Sequence, residues 1–246
     1  MQDIYLYEGT NVLRNKLNIH DAALLDTAEA ELSRDNMITL YDRGFSDFSP
    51  EGLCEIHRFL FHDVYEWAGQ YRIINISKRE EILAGMSIWY SNDEDIPRDL
   101  KQVWKKIAEI DWRCCTREEF VHNLVHTFPA MWQVHPFREG NTRTVVMMLT
   151  FFVEAHGYYL NQQLLREAAG YVRNAFVMAS LGKYAEYEHL ERILLDAVCE
   201  TPVYEEQDVQ KEECISDTYQ QYYKEYRPTA HEYRQETTPT NDKYYS

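Results

Sequence analysis

The sequence predicts a mainly helical fold with one small β element. Two observations favour helix: apolar residues recur mostly at three- and four-residue spacing, and only 9 glycines and 7 prolines interrupt 246 residues. A third adds the β element: the stretch YRIINIS at 71–77 alternates and is β-branched, which suits a short strand or one arm of a hairpin.

The first helix is expected over 21–41, with Asp21 as its N-cap. A second fits 50–67, with Leu53, Ile56, Leu60 and Val64 on one face. After the expected strand, the apolar segment 82–90 contains a Gly and can supply the other arm of a hairpin. Helical spacing resumes at 96–110 and at 117–132, where Phe120, Leu124 and Phe128 align and Pro129 should kink the helix. Residues 142–156 place Val145, Leu149, Phe152 and His156 on one stripe, and two more helices fit 162–181 and 184–200. From about residue 203 the chain turns polar, acidic and tyrosine-rich, with too few apolar residues to fold alone. The expected organisation is a helical domain over 1–202 and a tail over 203–246, partly disordered or an extended helix.

A net charge of -16 argues against binding a nucleic-acid backbone or an anionic membrane surface. The 5 cysteines show no CxxC spacing, so neither a disulfide framework nor a zinc ribbon is supported. The N-terminal residues lack a secretory pattern and no apolar run could span a bilayer, so a cytoplasmic location is expected. His122 and His126 stand four apart on one helix, but HNLVH lacks the Glu of a zinc-protease motif.

The chemistry concentrates in HPFREGNTRT, residues 135–144. His135 precedes Pro136, which pushes its backbone out of helical conformation and into a loop. Gly140-Asn141 make a turn into the next helix, whose first amides and dipole favour an anion. Thr142 and Arg143 sit in that first turn, and the guanidinium can fork onto phosphate oxygens. Glu139 is a hard oxygen ligand suited to Mg²⁺ bridging phosphates. An imidazole ordinarily titrates near neutrality, so His135 can accept a proton from an incoming hydroxyl. Together these are parts for transfer of a phosphorus group. The plainer alternative is a loop in which Arg143 makes a surface salt bridge and His135 caps a neighbour.

HPFREGNTR resembles the signature of the Fic-domain family, HPFx(D/E)GNGRxxR. YEWAGQYR at 65–72 resembles the family's Tyr-x-Trp-Ala-Gly-x-x-Arg segment, and YLYEGTNVLRNKL at 5–17 is similar to several family openings. The resemblance covers about residues 5–200. It implies a Fic-type helical bundle with a β-hairpin flap over the active loop, and transfer of AMP from ATP to a Tyr, Thr or Ser hydroxyl of a target protein. His135 would be the base and Glu139 the Mg²⁺ ligand. Gly140, Asn141, Thr142 and Arg143 would bind phosphate, and Phe137 would anchor the loop. Ile82 and Leu83 in the flap would dock the target as an added strand.

Two positions depart from the pattern. Thr142 replaces a Gly, and Val146 stands where the second Arg is expected, which bears on γ-phosphate binding and autoinhibition. Val146 also fits the apolar stripe of its helix. The nearest match to the family's inhibitory S/T-x-x-x-E-G/N helix is Thr27 to Glu31, but Leu32 follows where Gly or Asn belongs.

The expected function is protein adenylylation with ATP and Mg²⁺; for the tail tyrosines, self-modification stands beside the plainer reading of a solubilising tail with stacking contacts. The expected partners are a target protein and an antitoxin or other regulator. Two alternatives stand beside it: a nucleotide-binding interaction protein without activity, and transfer of a different phosphate-containing group. Thr142 lowers the second, because kinase-like relatives commonly carry Lys there.

Overall fold

The computed structural model describes residues 3–202, which group into two compact units. The expected tail, with its tyrosines, lies outside the described residues. The first unit takes in residues up to 76, 91–111 and 134–157; the second takes in 77–90, 112–133 and the chain from 158.

In the first unit, α1 spans Ala22–Arg43, capped by Asp21, whose carboxylate accepts the Leu24 amide. Its buried residues are Leu25, Glu29, Ser33 and Leu40, so two polar groups occupy the inward stripe. Ser49 caps α2 (Pro50–Phe61), with Pro50 in its first turn. Leu53, Ile56, His57, Leu60 and Phe61 give α2 one buried face, against which α1, α3 (Ile96–Ala108) and α5 (Asn141–Ala155) pack. The expected helix to residue 67 stops at Phe61, because the chain then turns repeatedly through residue 69, where Gly69 adopts φ 78°.

The strand expected at 71–77 does not form. Its amides are taken by tertiary partners: Arg72 N–H donates to the Pro136 carbonyl and Ile73 N–H to the Tyr5 hydroxyl.

In the second unit, α4 (Arg117–Val134) carries Pro129 in its interior, and Ser180 Oγ donates to the Pro129 carbonyl. Val134, the last residue of α4, belongs to the first unit. Leu160 in β1 (Tyr159–Leu160) pairs antiparallel with Val198 in β2 (Val198–Cys199), and this is the paired sheet among the described residues. The helix expected over 162–181 breaks at Ala168 into α6 (Gln162–Glu167) and α7 (Ala169–Ala179). The one expected over 184–200 is shorter, α8 (Glu188–Ala197), because its last residues become β2. Residues 77–90 form a tight reversal with one antiparallel bridge, Glu80 to Met86, around a 3-10 turn at Glu81–Leu83. Glu80 is fully buried and takes both terminal nitrogens of Arg173, at 2.5 and 3.0 Å, together with the Tyr90 hydroxyl.

Candidate active site

The loop between α4 and α5 is shaped by buried polar contacts. His135 adopts φ 51°, a left-handed conformation that costs a non-glycine residue of order 1–3 kcal/mol. Arg72 offsets this. It is almost wholly buried; its Nε donates to the His135 carbonyl at 2.9 Å and its backbone N–H to the Pro136 carbonyl at 2.8 Å. Its remaining nitrogens hold the carbonyls of Ile74 and Ser91. The last residue of YEWAGQYR is thus a brace for the histidine loop.

Asn141 closes the loop. Its side chain accepts the Phe137 amide at 2.9 Å and donates to the Phe137 carbonyl at 2.8 Å. Phe137 is buried and stacks on the His57 ring, centroids 3.8 Å apart. Arg138 turns outward to the carboxylate of Asp3. Gly140 enters α5 at φ 80°, and a Cβ there would run into the Phe61 ring, so glycine is required twice over.

At the mouth of α5, the half-buried Glu139 accepts the Gly140 amide on Oε1 at 3.1 Å. His135 lies in the same loop with 2% of its surface exposed. The residues of α5 that are not buried near its start are Thr142, Arg143 and Val146, one open stripe at helical spacing. Val146 therefore does not join the core stripe as expected; it stands a turn beyond Arg143 on the open side.

Arg143 is already engaged. It forms an ion pair with Glu29, donates to Ser33 Oγ at 2.6 Å, and lies over the Phe61 ring at 4.8 Å. The Tyr65 hydroxyl donates to the other Glu29 oxygen; burial, then the Glu29 charge, raises its pKa, so it stays a donor.

The structure brings His135, Glu139, Gly140, Asn141, Thr142 and Arg143 together in one loop and helix start. Thr27 and Glu31 lie on the exposed side of α1, and the acidic residue that reaches Arg143 is Glu29. Leu83 is fully buried and Ile82 half-buried. His122 and His126 are exposed, and no metal-binding cluster of three or more His, Cys, Asp or Glu residues occurs among the described residues.

Three contributors escaped the sequence reading: Glu29, His57 and the bracing role of Arg72. A faint signal existed for Glu29 and Ser33, polar residues four apart in the phase of Leu25.

The Fic/DOC family model matches residues 47–153, which contain this loop and its supports. A probable protein adenylyltransferase of Sinorhizobium fredii is 34% identical over 67% of this chain and 82% of its own length. A protein adenylyltransferase of Bartonella henselae is 30% identical over 76% of this chain, which spans only 36% of that longer protein. The BepC protein of Bartonella tribocorum, solved with bound AMPPNP, has the same fold, with a TM-score of 0.68 over 81% of this chain and 97% of that one at 24% identity. The chain belongs to the Fic/DOC family.

Proposed function

We propose that the chain is a protein adenylyltransferase, moving AMP from ATP to a Tyr, Thr or Ser hydroxyl of a target protein. The observation that carries this is a single braced loop that holds His135 and Glu139 at the N-terminus of α5. In the reaction His135 takes the proton of the target hydroxyl. The hydroxyl oxygen then bonds to the α-phosphorus, and the bond to the bridging oxygen breaks to release pyrophosphate. The first-turn amides of α5 and Arg143 bind phosphate oxygens and offset the charge that develops there.

Glu139 fits a Mg²⁺ that arrives with the nucleotide. It is one partly exposed hard-oxygen donor beside the anion mouth, and Mg²⁺ typically takes one or two carboxylates plus phosphates and water. Bound there, the ion would neutralise phosphate charge. Target docking is assigned to the reversal at 77–90, with Ile82 offering surface and Leu83 supporting it from the core. A regulatory partner, such as an antitoxin, belongs to the same proposal.

The test is incubation with ATP and Mg²⁺, labelled at either end. Label from the α position, but not the γ position, should enter protein, with a +AMP adduct by mass spectrometry and none for His135→Ala. Transfer of γ label would indicate phosphoryl transfer. ATP binding without any transfer would favour a nucleotide-binding interaction protein, a reading to which Val146 lends weight.

A further inference from the structure

We propose that His57 is a positioning residue that latches the Glu139–Gly140 peptide, so that the Gly140 N–H faces the anion mouth. This rests on the adenylyltransferase reading for its use, though not for its geometry. His57 lies on the inward face of α2 and is fully buried. Its Nδ1 accepts the Gly69 amide at 2.8 Å, and only a nitrogen with a free lone pair can do so. The ring proton is therefore on Nε2, which donates to the Glu139 carbonyl at 3.0 Å. One tautomer satisfies both contacts; the other would set two donors against each other at Gly69 and two acceptors at Glu139.

The peptide group is planar and trans, so its C=O and N–H point in opposite directions. Holding the Glu139 carbonyl on His57 turns the Gly140 N–H the other way, where it meets Glu139 Oε1 at 3.1 Å. A latch is needed here because Gly140 must be glycine to clear Phe61, and glycine accepts either sign of φ. Besides the Glu139 carboxylate on the Gly140 N–H, the His57 contact opposes a flip that would place a carbonyl, rather than an N–H, at the phosphate site. The upstream anchor is equally fixed. Gly69 holds φ 78°, and a Cβ there would come within 2.7 Å of the Arg58 Cβ. Phe137, stacked on the same ring, keeps the imidazole from rotating.

Two substitutions separate the halves of the latch. In His57→Gln the amide nitrogen can reach the place of Nε2 and donate to Glu139. In His57→Asn the side-chain oxygen can replace Nδ1 for Gly69, but nothing reaches Glu139. The full chain should be assayed for AMP transfer and for ATP–Mg²⁺ binding by calorimetry, with thermal melts for each variant. His57→Asn should lose at least tenfold in nucleotide affinity and in kcat/KM, while His57→Gln stays within about threefold of wild type, although both melt below wild type because each leaves one buried partner unpaired. Equal behaviour of the two variants, or losses that follow Tm alone, would overturn the proposal. The Gly140 amide resonance supplies a readout independent of nucleotide: it should shift and exchange faster in His57→Asn but not in His57→Gln, and identical resonances in both would also overturn it. A wild type that binds no nucleotide counts against the transferase reading alone.

Discussion

Arg143, in the first turn of α5, is held by Glu29 on α1, a carboxylate that is 6% exposed and also receives the Tyr65 hydroxyl. The guanidinium assigned to phosphate is thus neutralised by the protein. Glu29→Gln keeps the shape and removes the charge. Nucleotide affinity should rise a few-fold, on the scale of the roughly 1 kcal/mol of a partly exposed ion pair, while the melting temperature falls. Calorimetry with ATP checks this; weaker binding in the variant would make Glu29 a support for Arg143, not its competitor.

Gly140→Ala puts a Cβ into the Phe61 ring and an L side chain at φ 80°. The conformational part alone costs about 1–2 kcal/mol. Nucleotide binding and transfer should fall by at least a hundredfold. Trimming Phe61 to Leu in the same chain should restore little, because the backbone strain persists. Full recovery in the double variant would show that the ring clash alone mattered.

Stability should drop on acidification because of His57. In the folded chain its pKa is lowered to about 3, chiefly by burial, against the ordinary 6.5 of an exposed imidazole. Between those values the unfolded chain binds one more proton, so unfolding becomes easier as pH falls through that window and is unaffected by this group above it. The slope is about 1.4 kcal/mol per pH unit. His189, also lowered by burial first, acts with the same sign. Urea unfolding from about pH 7 to about pH 4 should show His57→Gln with a shallower dependence than wild type; parallel curves would contradict the assignment.

The pair Glu80–Arg173 predicts a stability effect in the second unit. Glu80 is fully buried, and Arg173→Met would leave its carboxylate without its cationic partner. The loss should be roughly 2–3 kcal/mol, at or below the low end for a broken buried pair, because Arg173 keeps part of its surface in water. Chemical denaturation measures it, and Glu80→Gln combined with Arg173→Met should recover part of the loss. No recovery would mean that packing, not charge, is what Arg173 supplies.

Much of the fold was legible in local chemistry. Asp21 signals the start of α1 and Gly140-Asn141 the start of α5, because caps and glycine turns act over a few residues. The histidine loop was legible for the same reason. What failed depended on distant partners. Residues 71–77 alternate as a strand should, yet Pro136 and Tyr5 capture the amides of Arg72 and Ile73. Val146 fitted a core stripe by spacing, but the buried arc of α5 leaves it open beside Arg143. His57 reads as an ordinary residue on an apolar helix face; its partner is 82 positions further on, beyond the reach of periodicity.

The brace between Arg72 and the carbonyl of His135 joins positions 63 residues apart. During synthesis the arginine leaves the ribosome well before the histidine and proline it will hold. Until both ends have emerged and met, this contact to the loop is missing, whatever the helices upstream have achieved. The left-handed conformation of the histidine can therefore draw on this support only once 63 further residues have been added after the arginine.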